Sequence, residues 1–186
     1  MKLLLASNSP RRRELLGLLD VDYEIIAPRE VEEVYPAALP AEEVAPYLSS
    51  LKASAYAGLP KGDEIIVTAD TVVVCEGRIL GKPKDREDAI AMLRLLSGKT
   101  HKVVTGVTLM SEKQTVTFSE TTLVTFDTLS DSMIESYVDR YRPFDKAGAY
   151  GIQEWIGCVG ISAITGCYYN VMGLPLHTLY THLSRF

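Results

Sequence analysis

The first sixteen residues constrain the fold most. Lys2-Leu-Leu-Leu-Ala6 reads as a short apolar strand, Ser7-Asn8-Ser9-Pro10 as a tight polar turn, and Arg11-Arg12-Arg13-Glu14-Leu15-Leu16 as the opening of a helix. Ser9 suits the N-cap and Pro10 the first helical position. The first turn of a helix carries unpaired N–H groups and a partial positive charge, so it favours Asp or Glu. Three arginines there oppose that field unless an anion arrives to use them. Strand, turn, helix start and guanidinium groups together make a phosphate site. The plain alternative is that the arginines spread into solvent.

Composition narrows the function classes. The chain has 186 residues, 47% hydrophobic and 23% charged, ordinary values for a globular chain with a sizeable core. Its 19 basic and 24 acidic residues give a net charge of -5, which argues against bulk nucleic-acid binding. A local basic cluster for a small anion remains compatible with that balance. Cys75, Cys158 and Cys167 are odd in number and contain no CxxC pair, so neither a structural zinc nor a disulfide framework is expected. Leu3 to Ala6 is too short for a signal peptide's apolar region, and no run approaches a membrane span. The expectation is a cytoplasmic protein with no membrane partner.

Strand and helix patterns alternate along the chain, which predicts an α/β fold. Tyr23 to Ile26 reads as a strand, and Pro28 to Pro40 as an acidic loop carrying Glu30, Glu32 and Glu33. A helix is expected from Ala41 to about Ala57, through Val44, Leu48, Leu51 and Ala55. Ile65-Ile66-Val67 and Thr71 to Val74 read as two short strands around Ala69-Asp70, with Ile79-Leu80 pairing back after a turn. An amphipathic helix is expected from Asp85 to Ser97, closed by Gly98. Strands follow at His101 to Met110 and Gln114 to Phe126, then a helix from Ser130 to about Tyr141. Asp145 to Gln153 reads as a small-residue loop feeding a strand, and Pro175 to Leu183 as a closing helix. One domain over residues 1–186 is expected. The hairpin region and its helices suit a second lobe, without a linker that would make it independent.

Asp70 interrupts a run that is otherwise apolar or β-branched from Ile65 to Cys75. An ionised carboxylate there is costly unless paired or metal-bound, so Asp70 is a candidate general base or metal ligand. The alternative is a turn-forming Asp. With Glu32 and Glu33 it could share a Mg²⁺, which takes one or two carboxylates plus phosphate oxygens. Lys52 lies on the predicted helix, where lysines usually cover surface. Lys82, in Gly81-Lys82-Pro83, has a restricted sweep suited to a phosphate contact. Lys146 could reach phosphate or pair with Asp145. Gln153 follows a Gly/Ala stretch and offers both donors and acceptors, as base recognition requires. His101, His177 and His182 lack metal-ligand spacing. Gly157-Cys158-Val159-Gly160 is no phosphate loop, since no Lys-Ser/Thr follows.

Taken together, these segments resemble the Maf family of nucleoside triphosphate pyrophosphatases. The resemblance starts at Ala6-Ser7-Asn8-Ser9-Pro10-Arg11-Arg12 and Glu14-Leu15-Leu16. It continues through Glu32-Glu33, Lys52-Ala53, Ala69-Asp70-Thr71-Val72-Val73, Gly81-Lys82-Pro83 and Leu96-Ser97-Gly98. It closes with Asp145 to Gln153 and Val171-Met-Gly-Leu-Pro175, so the blocks span nearly the whole chain in order.

The resemblance implies an α/β fold with a mixed twisted sheet, flanking helices and two lobes around a cleft, similar to inosine triphosphate pyrophosphatases. It implies cleavage of a nucleoside triphosphate to monophosphate and pyrophosphate with a divalent cation, Mg²⁺ or Mn²⁺. Asp70 takes the general-base position. Ser7, Arg12, Glu33, Lys52 and Lys82 match substrate or metal positions, and Lys146 lies in a matching block. Arg11, Thr71 and Gln153 stand where the 7-methyl-GTP branch carries Trp, Gln and Glu, a pattern resembling the branch that acts on dTTP and UTP. Arg13 is extra to the motif and is expected to face solvent. Many relatives carry Asp-Glu where this chain has Glu32-Glu33, which leaves the choice of metal carboxylate open. A homodimer is compatible with this reading. The rival reading is a nucleotide-sensing regulator of cell division or septation that binds without turnover.

Overall fold

The opening strand and turn form as the sequence predicts. In a computed structural model describing residues 1–186, β1 (Lys2–Ala6) enters α1 (Pro10–Gly17) through a turn capped by Ser9. The chain continues through β2 (Tyr23–Ile26), α2 (Ala41–Ser54), β3 (Glu64–Cys75), β4 (Arg78–Leu80), α3 (Arg86–Leu96), β5 (Thr100–Met110) and β6 (Thr115–Phe126). It ends with α4 (Asp131–Tyr141), a 3₁₀ turn at Ala147–Ala149, α5 (Trp155–Gly160), β7 (Ile161–Thr165), α6 (Tyr168–Met172) and α7 (Leu176–Leu183). The seven strands form one mixed sheet in the order β2-β1-β3-β5-β6-β7, with β4 paired to β3. β1 runs parallel to both β2 and β3, while β4 and β7 pair antiparallel with β3 and β6. The expected α/β class with flanking helices is therefore present.

Several elements differ from the sequence reading. The two short strands around Asp70 are one continuous β3, so Asp70 sits inside a strand and not in a turn. β-branched residues on both sides carry the extended backbone through it. α2 stops at Ser54, and the strand expected directly after Gln153 starts only at Ile161, after α5, which contains Gly157 and Gly160. Six residues with two glycines give no helical period to detect. α6 is likewise too short for its pattern to stand out.

The chain divides into two compact units. Unit 1 comprises residues 1–71, 105–120 and 173–186; unit 2 comprises residues 72–104 and 121–172. β3, β5 and β6 each contribute residues to both. In unit 1, α2 lies unusually close to β5. A Cβ on Gly106 would fall 2.2 Å from the Pro46 backbone nitrogen, so only glycine permits the contact. The same seam carries buried hydroxyls: Thr68 donates to the Ser49 carbonyl (2.7 Å), and the Ser49 and Thr108 hydroxyls are paired at 2.9 Å. The buried core of unit 2 joins α3 and α4 through Leu93, Leu96, Ile134 and Tyr137, with Phe126 and Ile156. Each such large apolar side chain contributes about 1.5–3 kcal/mol on full burial.

Candidate active site

The α2 seam sets the position of Lys52. Ser49 is held against Thr68 of β3, and Lys52 lies three residues further along the helix. Asp70 lies two residues beyond Thr68 and therefore points to the same side of the strand. Lys52 Nζ donates to Asp70 Oδ1 and stands 3.2 Å from Glu33 Oε1, so one ammonium is shared by two carboxylates. The Asp70 side chain is 15% exposed and that of Lys52 21%, against 51% for Glu33. The isolated carboxylate of the sequence is thus paired. Glu32 is exposed and does not join: no group of three or more acidic, His or Cys side chains converges anywhere in the chain.

The arginines divide their work. Arg12 donates from Nε to the Gly173 carbonyl (2.8 Å), from one terminal nitrogen to the Ala69 carbonyl (2.8 Å), and from the other to Thr71 Oγ1 (3.0 Å). Thr71 Oγ1 is also 2.9 Å from Thr105 Oγ1. Gly173 has a φ of +113°, a backbone region that favours glycine and here turns its carbonyl to the guanidinium. Three of the five guanidinium N–H donors are engaged in these contacts. Burial pushes the Arg12 pKa down; Asp70 opposes the push, Arg11 adds to it and Glu33 opposes it. Arg13 does not face solvent as expected. Its guanidinium donates twice to the Ser7 carbonyl, at 3.3 and 3.2 Å, and closes the end of β1. Ser7 is itself buried, with its hydroxyl accepting from the Ser9 N–H at 3.1 Å. Arg11 is partly buried on the same turn.

Unit 2 carries Lys82, Lys146 and Gln153. The Gly148 N–H donates to the Gly81 carbonyl at 3.0 Å, which ties the Lys82 turn to the loop holding Lys146. Gly148 has a φ of +71°, and a Cβ there would press on Val73 at 3.1 Å. Lys146 Nζ pairs with Asp145 Oδ1 (2.8 Å) and Glu154 Oε1 (3.1 Å), its side chain only 11% exposed. Tyr137 Oη donates to Glu154 and accepts from the Gly151 N–H at 3.0 Å. Burial and that carboxylate push the Tyr137 hydroxyl pKa well above its ordinary value. Lys82 and Gln153 are exposed.

Sequence reasoning missed Gly173 and Thr105 as supports of Arg12, and Tyr137 and Glu154 as supports of Lys146. The Val171 to Pro175 block held the only signal for Gly173. A lone Thr, Tyr or Glu in a half-buried element carries none. The three cysteines are free, and no helix is long and apolar enough to cross a membrane.

Comparison with known proteins places the chain in a family. The family model described as Maf-like protein matches residues 2–186. A Porphyromonas gingivalis protein named dTTP/UTP pyrophosphatase is 53% identical over 187 residues, covering 100% of this chain and 94% of its own. A Bacteroides thetaiotaomicron protein of the same name is 49% identical over 184 residues, with 99% and 95% covered. A HAM1 protein from Coxiella burnetii has a related structure: TM-score 0.50 at 15% identity, with all of both chains covered, a likeness of fold alone.

Proposed function

The chain belongs to the Maf family, and from that premise we propose that it hydrolyses dTTP and UTP to the nucleoside monophosphate and pyrophosphate. The observation that carries the reading is Asp70: a carboxylate inside a β-branched strand, with an ammonium and a second carboxylate gathered beside it. Asp70 accepts the proton of the attacking water at the α-phosphorus, and pyrophosphate leaves. Arg12, Ser7 and Lys52 hold the phosphates in unit 1. Lys82 adds positive charge in unit 2, and Lys146, paired with Asp145 and Glu154, would join it on exchanging a carboxylate for phosphate. Positioning and charge neutralisation supply most of the acceleration.

The residues also fit a divalent cation. Glu33 and Asp70 already converge on one positive charge, and both are hard oxygen donors of the kind Mg²⁺ and Mn²⁺ take together with phosphate oxygens. Such an ion, when bound, neutralises charge on the phosphate oxygens. Glu33 is the favoured partner of Asp70, because Glu32 stands away from Lys52 in solvent.

Base selectivity is assigned to Arg11, Thr71 and Gln153. Gln153 is exposed, and its amide can match the O4 and N3–H edge shared by thymine and uracil. Thr71 spends its hydroxyl on Arg12 and Thr105, so its influence runs through the placement of Arg12.

The test is pyrophosphate release from dTTP, UTP and 7-methyl-GTP, with and without Mg²⁺ or Mn²⁺, on the wild type and Gln153→Glu. The expected result is metal-dependent release from dTTP and UTP, weakened by the substitution. Tight nucleotide binding without pyrophosphate would support the regulator instead. A wild-type preference for 7-methyl-GTP would overturn the base assignment.

A further inference from the structure

Lys52 occupies an unusual place for a substrate-binding lysine. Its ammonium does not reach outward but sits on Asp70 Oδ1, 3.2 Å from Glu33 Oε1. These are the same two carboxylates whose oxygens suit a divalent cation. An ammonium and a dication cannot share them without strong like-charge repulsion at short range. We propose that Lys52 is a resident counter-cation, which keeps a divalent ion off Glu33 and Asp70 until a triphosphate arrives to take the ammonium. The proposal rests on the pyrophosphatase reading and names the form of substrate that site accepts: the metal–triphosphate complex, not the free ion followed by the nucleotide.

The geometry supports an exchange of partners. Glu33 lies on the long loop before α2 and is half exposed, so it can follow a new cation. The Lys52 ammonium is held by the two carboxylates, while the α2 backbone beneath it is fixed by the Gly106 and Ser49 contacts. A lysine head can swing on four methylene groups with little backbone cost. Once a triphosphate accepts the ammonium, the two carboxylates lose their positive partner. They would then be exposed to each other's charge, which raises their affinity for a dication. Cation and nucleotide binding are therefore coupled, and the coupling is reciprocal.

The test uses Mn²⁺ alone as probe, followed by the paramagnetic signal of the free aquo ion or by calorimetry, on full-length protein without nucleotide. Lys52→Met removes the ammonium and keeps the stem; Lys52→Gln is the second variant should the first fold poorly, with circular dichroism as the control. The expected result is Mn²⁺ binding tightened about tenfold or more in either folded variant. An α,β-methylene analogue of UTP should tighten Mn²⁺ binding about tenfold or more in the wild type and far less in the variants. Equal or weaker Mn²⁺ affinity in the folded variants overturns the proposal, as does undetectable Mn²⁺ binding in all proteins. Neither result bears on pyrophosphate release, and a wild type that releases no pyrophosphate would leave the Mn²⁺ comparison standing.

Discussion

Arg12→Ala separates a ligand-only role for this side chain from a structural one. From the sequence, removing a cation from the first turn of α1 should relieve a dipole conflict of roughly 0.3–1 kcal/mol and leave stability intact. The structure reverses the sign. Arg12 holds two backbone carbonyls, Ala69 and Gly173, and the Thr71 hydroxyl, joining α1, β3 and the start of the last segment. Hydrogen bonds from a charged donor contribute about 1.5–3 kcal/mol each, but here water can rehydrate part of a half-buried site, so about 3–4 kcal/mol is a fair gross loss. Subtracting the dipole relief leaves a net cost of about 3 kcal/mol, or roughly 6–12 °C in Tm for a chain of this size. Arg13→Ala loses two long contacts to one carbonyl and should cost under about 1 kcal/mol. The assay is thermal and urea unfolding of both variants beside pyrophosphate release. Arg12→Lys keeps the charge but cannot span three acceptors, and should fall between. An Arg12→Ala Tm within about 1 °C of wild type would refute the clamp, as would equal losses at Arg12 and Arg13.

Three further outcomes follow from the same contacts. Asp70→Asn should lower pyrophosphate release by about 10²–10⁴-fold with the far-ultraviolet spectrum unchanged; near-normal turnover would remove Asp70 from the mechanism. Gly106→Ala should destabilise unit 1 by about 3 kcal/mol or more, because its Cβ would meet the backbone of Pro46 at 2.2 Å; an unfolding midpoint equal to wild type would show that α2 can lift freely. His101 is buried against Phe126 and Tyr150, and burial lowers its pKa from 6.5 to about 4. Its folded pKa is depressed, so its contribution is fully present above pH about 6.5 and lost as pH falls towards about 4, a slope worth about 3 kcal/mol that His101→Gln should flatten in urea titrations at several pH values.

The local half of the fold was legible in the sequence. Ser9-Pro10 marked the start of α1, Asp85 and Gly98 bracketed α3, and Ser130 capped α4, because capping and turn residues act over three or four positions. What failed needed distance. Asp70 read as a carboxylate needing a partner, but its partner Lys52 could not be named: it is 18 residues away, on another element. Arg12 looked like a free anion site because its acceptors lie 57, 59 and 161 residues along the chain. The site residues themselves were nameable because Asp in an apolar run and Arg at a helix start both violate local preference. Their contacts were not, since a hydrogen bond between remote elements leaves no periodic trace.

The pleat of β3 explains how one strand carries two sets of contacts at once. Neighbouring residues on a strand point to opposite faces, so Asp70 and Thr71 are separated by the backbone between them. Asp70 turns to α2 and meets Lys52; Thr71 takes the Arg12 side, with Thr105 beside it. A change at Thr71 is therefore transmitted by moving Arg12, while the carboxylate keeps its own support from α2. Substitutions along β3 should sort by parity. Those on the Thr68–Asp70 side would disturb the Asp70 carboxylate and its Lys52 partner, and those on the Ala69–Thr71 side would disturb the arginine anchor. The hydrogen bonds of the two side chains are thus separate, but the charges are not: Arg12 still feels the Asp70 carboxylate, so a change at Thr71 that shifts the guanidinium also alters the field at Asp70.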